Sequence, residues 1–221
     1  MSSRSADPRI GRLHVLVDSL EMAAAAIDGG APVIQVRCKA GTDAQRYALV
    51  EAIATRCRPA GVTCLVNDRA DMAVAAGADG VHVGAEDLPV GAARRVVGPG
   101  AIVGGTARDP ATARWLVEEG ASYLGVGPTF ATASKDGLPD PLGPSRVGEV
   151  VRAVDVPVIA IAGITLDRIP EVLATGAWGV AVIGAVAGTP SPRAATRELA
   201  AAVERAARRT AAAGAGGRTR A

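Results

Sequence analysis

Aromatic side chains are scarce in this sequence, since phenylalanine, tyrosine and tryptophan together make up 2% of the 221 residues. A core without large rings has to be filled by small and branched side chains, and 49% of the residues are hydrophobic. The chain is long enough for one sizeable core, because an α/β barrel of about 200–250 residues forms a single domain. The formal net charge is only +2, which gives no electrostatic case for a nucleic-acid partner.

Cysteines and long apolar segments are also few. The three cysteines, Cys38, Cys57 and Cys64, have no metal-binding spacing, and reduced thiols in a cytoplasmic protein are the simplest account of them. The first residues, MSSRSADPRIGR, lack the apolar stretch of a signal peptide. No run of about 18 apolar residues could span a bilayer. We therefore expect a soluble, cytoplasmic protein with no membrane partner.

One short pattern recurs along the chain, in which Gly-Ala follows a helical segment and precedes an apolar strand. It occurs as GGAPVIQVR (29–37), GADGVHVG (77–84), GASYLGVG (120–127) and GAWGVAVIG (176–184). Glycine suits the left-handed residue just after a helix, and a continuous apolar run suits a parallel strand that is buried on both faces. The pattern therefore indicates a junction between helix and strand that the fold uses several times.

Eight strands can be counted, and amphipathic segments such as 43–57 and 110–120 follow them. The predicted strands are 13–17, 32–38, 62–67, 80–84, 101–106, 123–128, 157–163 and 179–185. Strict alternation indicates a parallel sheet, and eight units predict an α/β protein with a single (β/α)8 TIM barrel. An open doubly wound sheet is the alternative, but it would need a Gly-x-Gly-x-x-Gly turn after the first strand. We assign the barrel domain to residues 1–208 and expect a flexible Ala/Gly/Arg-rich tail over 209–221.

Three polar side chains share one face of the second strand. Period-two alternation in QVRCK puts Gln35, Arg37 and Lys39 on one side of the strand, with Val36 and Cys38 on the other. Active sites of such barrels lie at the carboxyl ends of the strands. The two cations could therefore grip a phosphate or diphosphate while Gln35 hydrogen-bonds a heterocycle. The alternative is a set of salt bridges inside the barrel mouth, and we expect Cys38 to serve packing.

Acidic residues follow the next two strands at the same end, with Asp68 after LVN and Asp87 in the loop after VHVG. Two hard oxygen ligands near a diphosphate are what Mg²⁺ uses, because it takes its other ligands from phosphate and water. Asp68 could instead cap the helix that follows it. The histidines have a weaker case, since His14 and His82 lie within strands, where core packing explains them at least as well as catalysis.

A second anion site is indicated on the other side of the barrel mouth. The loop after strand six, 127–144, is long and rich in glycine and proline, and long loops are often functional. Its candidate phosphate donors are Thr132, Ser134 and Lys135. The loops after strands seven and eight often form the phosphate site of such barrels, and the candidates there are Gly163, Ile183 and Gly184. Two anion sites point to two phosphorylated small-molecule substrates.

In combination, these motifs resemble the thiamine phosphate synthase family over residues 11–188. QVRCK resembles the family's Gln-x-Arg-x-Lys, NDRADMAVAAGADGVHVGAEDLP its metal segment, GVGPTFATASKDGLPDPLG its loop-six signature, and VIAIAGI and GVAVIGAV its last two strand ends. Five matches in chain order make the resemblance specific. It implies a transferase that joins 4-amino-2-methyl-5-(diphosphooxymethyl)pyrimidine to thiazole phosphate, or to its carboxylate. The products are thiamine phosphate and pyrophosphate, formed by Mg²⁺-assisted dissociative substitution.

The resemblance also implies residue roles. The pyrimidine diphosphate would bind Gln35, Arg37, Lys39, Asn67, Thr106 and Lys135. The catalytic residues among them would be Arg37, Lys39, Thr106 and Lys135. The expected cofactor, Mg²⁺, would bind Asp68 and Asp87. The thiazole phosphate would bind Thr132, Ala133, Ser134, Gly163, Ile183 and Gly184. A dissociative reaction needs stabilised leaving-group charge rather than a strong base, which agrees with the absence of a convincing acid–base pair from the sequence.

The chain departs from the family pattern at a few positions. Thr106 and Arg108 stand where the family usually has Ser, often with His two positions on, while Ala85 replaces a usual Gln and Gly184 a usual Ser. Two other functions remain open. A thiazole tautomerase-like paralogue would lack the metal-binding aspartates and would want a general base, and a non-catalytic phosphate-binding barrel would not need both carboxylates. The sequence also leaves open whether the protein is a homo-oligomer.

Overall fold

The computed structural model describes residues 7–132, 137 and 139–216. The strands of this part of the chain are Leu13–Val17 (β1), Val33–Val36 (β2), Thr63–Asn67 (β3), Gly80–Val83 (β4), Ile102–Ala107 (β5), Tyr123–Val126 (β6), Val158–Ile161 (β7) and Gly179–Val182 (β8). Each strand pairs with the next, and β1 pairs in parallel with β8, which closes the barrel. The predicted (β/α)8 barrel is confirmed.

Helices cover the outside of the barrel. They are Leu20–Asp28 (α1), Asp43–Ala60 (α2), Ala70–Ala75 (α3), Val90–Val97 (α4), Pro110–Glu118 (α5), Gly143–Ala153 (α6), Ile169–Ala174 (α7), Gly184–Ala187 (α8) and Pro192–Gly216 (α9). Local sequence sets their starts: Thr42 and Gln45 form a capping box at α2, and the Asp109 side chain accepts amide hydrogen bonds at the start of α5. Within the described ranges, no helix combines the length and the apolar composition needed to cross a bilayer.

The last helix is longer than the sequence suggested. We expected a flexible tail from residue 209, whereas α9 continues to Gly216. Alanine and arginine are strong helix formers, and their abundance in this stretch extends the helix. Residues 217–221 lie outside the described part of the chain.

Two apolar layers hold the barrel together. The larger layer lies between strands and helices and consists mainly of valine, alanine, leucine and isoleucine. The smaller layer fills the barrel interior with Ile10, Leu16, Val33, Leu65, Ile102, Tyr123, Ile159 and Ala181. Interior side chains from the strands pack in layers in such barrels, so the interior is a core and not a pore. Polar side chains are therefore concentrated where the strands end.

Candidate active site

A cavity of about 770 Å³ opens at the carboxyl ends of the strands, and all eight strands or the loops after them contribute to its lining. This is the end at which barrel enzymes carry their active sites. The predicted site residues that line it are Gln35, Arg37, Lys39, Asn67, Asp68, Asp87, Thr106, Thr132, Gly163, Ile183 and Gly184. The predicted residues that lie outside the described part of the chain are Ala133, Ser134 and Lys135.

The polar face of β2 forms one wall of this cavity. Gln35, Arg37 and Lys39 all line it, as the alternation predicted, while Cys38 lines a smaller pocket of about 250 Å³. Gln35 is buried, and its Nε2 donates to Asn67 Oδ1 at 2.6 Å, which fixes both amide groups at the cavity. Among the described residues, neither Arg37 nor Lys39 forms a salt bridge. The salt-bridge alternative is therefore disfavoured, and both cations can serve a bound anion.

Asp68 has an unusual backbone for a residue that merely ends a strand. Its φ is 68°, in the left-handed region that few residues other than glycine adopt. Its amide donates to the carbonyl of His82 at 2.8 Å, which ties the end of β3 to β4. The N-cap residue of α3 is Arg69, and no side chain caps that helix. Asp68 therefore does not act as a helix cap, and its conformation directs it to the cavity.

The carboxyl group of Asp87 lies close enough to that of Asp68 to disfavour its ionisation. Burial first, and then Asp87, raise the pKa of Asp68 to about 6, while Asn67 and the charge of Lys39 act in the opposite direction. Asp87 Oδ2 also accepts from the amide of Gly84 at 2.8 Å, which holds that carboxyl group in place.

The donor set fits a magnesium ion that is shared with a substrate. In the described ranges, no group of three or more His, Cys, Asp or Glu side chains could hold a metal. Asp68 and Asp87 supply two carboxylates, and the Asn67 amide, whose oxygen accepts from Gln35, donates through Nδ2 to Asp68 and orients that carboxylate. Mg²⁺ commonly binds one or two carboxylates, with waters and substrate phosphates as the remaining ligands. A cation here would also relieve the repulsion between the two carboxylates.

His82, for which the sequence favoured core packing at least as much as catalysis, also lines the cavity. His82 Nε2 lies 3.0 Å from Thr106 Oγ1, and His82 Nδ1 lies 3.0 Å from the hydroxyl of Tyr123. Burial lowers the pKa of His82 to about 4, so the ring is neutral near pH 7. Thr106 keeps the hydroxyl that the family's usual serine would provide. The sequence signal for this contact is faint, because β4, β5 and β6 each contribute a single polar group.

The opposite side of the cavity is built from backbone. Gly163 has a φ of 66°, and a Cβ there would lie 2.7 Å from the carbonyl oxygen of Ala131, so only glycine permits the loop after β6 to pack against it. Gly184 is the first residue of α8, and the first amides of a helix have no partner within it. Both glycines and Ile183 line the cavity. This side therefore suits a phosphate that is bound mainly by backbone amides.

Two arginines of the lining were not among the predicted site residues. Arg168 Nη1 donates to the carbonyl of Gly163 at 2.6 Å, and its guanidinium lies 4.3 Å from the ring centre of Phe130. Arg108 Nη2 donates to the carbonyl of Asp140 at 2.9 Å, whereas its buried Nη1 has no acceptor among the described residues. Both arginines add positive potential to the cavity and brace the loop after β6.

Comparison with known proteins gives a consistent result. The family model described as thiamine monophosphate synthase matches residues 12–186, a span that contains every residue of the cavity lining. Thiamine-phosphate synthase of Salinispora arenicola is 48% identical over 196 residues, which cover 85% of this chain and 94% of that protein. Thiamine-phosphate synthase of Salinibacter ruber is 44% identical over 207 residues, which cover 90% of this chain and 91% of that protein.

A solved structure shows the same similarity in three dimensions. Thiamine phosphate pyrophosphorylase from Pyrococcus furiosus matches with a TM-score of 0.82 and 35% sequence identity. The match covers 88% of this chain and 96% of that chain. The similarity therefore includes the barrel and the strand ends that form the cavity.

The burial of His14 at the base of the cavity predicts how the stability of the protein depends on pH. Burial, and then the nearby His82, lower the pKa of His14 to about 3 from an ordinary value of 6.5. Below pH 6.5 the unfolded chain therefore binds more protons at this residue than the folded protein does. The free energy of unfolding should consequently decrease as the pH is lowered. When the pH is lowered from about 7.5 to about 5, His14 should account for a loss of about 2 kcal/mol in the free energy of unfolding.

The measurement is urea unfolding at both pH values for the wild type and for His14→Gln, which can keep the hydrogen bond that His14 Nε2 makes to the Gly11 carbonyl at 3.1 Å. The variant should lose about 2 kcal/mol less stability between the two pH values than the wild type. An identical loss in both proteins would contradict a buried, neutral His14.

Proposed function

Because the chain belongs to the thiamine monophosphate synthase family, we propose that it transfers the pyrimidinylmethyl group of the pyrimidine diphosphate to thiazole phosphate or its carboxylate. The products are thiamine phosphate and pyrophosphate, with CO₂ as a further product when the carboxylate is used. The observation that carries this proposal is the convergence of the Arg37–Lys39 cations with the Asp68–Asp87 carboxylates at one wall of a single cavity.

The cations of β2 would hold the diphosphate. The methylene carbon–oxygen bond of the pyrimidine diphosphate breaks, and both bonding electrons leave with pyrophosphate. Arg37 and Lys39 compensate the negative charge that develops on this leaving group, and they are available because no described carboxylate pairs with them. Donors that are already in place stabilise developing charge without reorganisation. Gln35, fixed by Asn67, would orient the pyrimidine ring beside them.

Asp68 and Asp87 would hold Mg²⁺, which supplies further positive charge to the diphosphate oxygens when bound. Asp87 is held by the Gly84 amide, and Asp68 by Asn67. The ligands therefore come from the ends of β3 and β4, next to the cations at the end of β2. This arrangement supports a diphosphate that is bound by side-chain cations and metal together.

The acceptor would lie on the other side of the cavity. Its ring nitrogen has a lone pair, which forms the new bond to the methylene carbon, so this step needs no strong general base. Both histidines of the cavity are neutral near pH 7, since burial lowers their pKa values. Gly163 and Gly184 would bring backbone amides to the thiazole phosphate, and Arg168 adds charge nearby. Separate sites for the two anions hold the reacting atoms in one orientation.

The direct test is to mix the purified protein with Mg²⁺, the pyrimidine diphosphate and the thiazole phosphate, and to measure thiamine phosphate and pyrophosphate. EDTA should abolish product formation. Asp68→Asn and Asp87→Asn should each lower kcat at least about 100-fold, because each removes a charged ligand from the leaving-group site. Asp71→Asn is the matched control, since Asp71 pairs with Arg69 on the surface and lies outside the cavity lining.

Wild-type turnover in both aspartate variants would exclude the metal assignment. Binding of either substrate to a folded protein without any product would exclude the synthase. Proton exchange on the thiazole would then identify a tautomerase, and binding alone would identify a phosphate-binding barrel.

A substitution at Gly184 is predicted to strengthen the binding of thiazole phosphate rather than to weaken activity. The family usually has serine here, and Gly184→Ser would restore a hydroxyl donor beside the proposed thiazole phosphate site. A hydrogen bond to a charged group contributes about 1.5–3 kcal/mol, so KM for thiazole phosphate should fall at least about 10-fold. Steady-state kinetics at saturating pyrimidine diphosphate would measure it. Gly184→Ala adds the Cβ without the hydroxyl and should leave KM unchanged or raise it. Equal effects of the two substitutions would show that the hydroxyl does not reach the phosphate.

A further inference from the structure

Three polar groups form a continuous chain under the diphosphate wall of the cavity. The hydroxyl of Tyr123 on β6, the imidazole of His82 on β4 and the hydroxyl of Thr106 on β5 are joined by two hydrogen bonds of 3.0 Å each. Tyr123 is almost fully buried at the base of the cavity, while Thr106 is partly exposed, and both residues belong to the cavity lining. The chain therefore leads from the barrel core to a residue that the proposed function places at the diphosphate.

The barrel makes room for this chain at two glycines. A Cβ at Gly104 would overlap the ring of Tyr123 and His82 Nδ1, and a Cβ at Gly125 would lie 2.9 Å from His82 Cε1. Glycine in a strand interior weakens the strand and often marks a close approach by another group. The two rings thus occupy space that side chains of β5 and β6 would otherwise fill. Such a fit holds the imidazole in one orientation.

Counting donors and acceptors distinguishes the two neutral forms of His82. If the Tyr123 hydroxyl donates to Nδ1, then Nε2–H donates to Thr106, and the Thr106 proton is free for a ligand. If Nδ1–H donates to Tyr123, then Thr106 donates to Nε2, and the Tyr123 proton is left without a protein acceptor, since its hydroxyl hydrogen-bonds no described residue other than His82. A buried donor without an acceptor is costly, because the hydrogen bond that it makes to water in the unfolded chain is not replaced. The first arrangement satisfies every buried group.

We propose that Tyr123 fixes His82 as the Nε2–H form, and that the two act as positioning residues that make the Thr106 hydroxyl a donor to the leaving diphosphate. No proton is transferred along the chain. The identity of the anion rests on the proposed synthase function, whereas the hydrogen-bond order does not. Because the Thr106 donor would be oriented before the carbon–oxygen bond breaks, it would stabilise the charge that develops on the diphosphate.

The hydrogen-bond order can be read directly from the wild type. The chain contains two histidines, so ¹⁵N NMR of untagged protein shows two imidazole rings, and His14→Gln assigns them. We expect a protonated Nε2 and an unprotonated Nδ1 on His82 at neutral pH. Protonation at Nδ1, or rapid averaging of the two forms, would overturn the proposal.

A double-mutant cycle tests the link to the anion. Tyr123→Phe and Thr106→Val should each lower kcat, and the affinity for inorganic pyrophosphate with Mg²⁺, about 10-fold. The kcat and the pyrophosphate affinity of the double variant should be no lower than those of Thr106→Val alone, because both substitutions remove the same donor, the Thr106 hydroxyl. Thr106→Ser should retain most activity. Tyr47→Phe is the matched control, since the Tyr47 hydroxyl donates only to Glu51 on the surface among the described residues.

The outcomes separate this inference from the proposed function. Additive losses in the cycle, or full activity and pyrophosphate affinity in Tyr123→Phe, would refute the positioning role even if the protein makes thiamine phosphate. Absence of product, together with the Nε2–H form and a coupled loss of pyrophosphate affinity, would refute the synthase and support the positioning role. Thermal unfolding of each variant would show whether a loss comes from the fold.

Discussion

The proximity of the Asp68 and Asp87 carboxyl groups is the constraint on which the rest of the site depends. Burial and the neighbouring acid both disfavour the ionised form of Asp68, and the left-handed backbone at that residue adds strain. Such features persist when the surrounding structure enforces them, and they cluster at functional sites. Asn67, Gly84 and the carbonyl of His82 enforce this one. A cation between the two carboxylates would be attracted by both of them and would remove the repulsion between their charges.

The barrel supports this arrangement through its small residues. Continuous apolar strands confine polar groups to the strand ends, so the cations of β2 and the acids of β3 and β4 meet at one wall. The interior contains glycine where larger side chains would crowd the site. Gly104 and Gly125 leave space for His82 and Tyr123, whose hydrogen bonds end at Thr106. The scarcity of aromatic residues is therefore related to the structure of the site. In a core of small side chains, the one buried tyrosine occupies a defined position next to His82.

Local patterns predicted the fold and much of the cavity. The alternation in QVRCK placed Gln35, Arg37 and Lys39 on one face, and the equivalent ends of two parallel strands brought Asp68 and Asp87 together. The place of His82 in the cavity did not emerge from the sequence, because its partners are set by contacts between three strands. Arg168 was missed because it ends a 3-10 helix, Leu166–Arg168, and only the folded loop after β7 turns its guanidinium back to the carbonyl of Gly163. The helix α9 continues to Gly216, into the stretch from residue 209 where a flexible tail was expected, because alanine and arginine favour helix there. The magnesium ion, the substrates and the roles of residues 133–135 stay predictions.

Anomalous diffraction from crystals of the protein grown with Mn²⁺ and pyrophosphate would locate the metal directly. We expect one strong anomalous peak between the carboxylates of Asp68 and Asp87. We also expect the pyrophosphate to contact this metal, Arg37 and Lys39. A metal bound elsewhere, or pyrophosphate held only by the loops after β7 and β8, would contradict the assignment of this wall of the cavity to the leaving group.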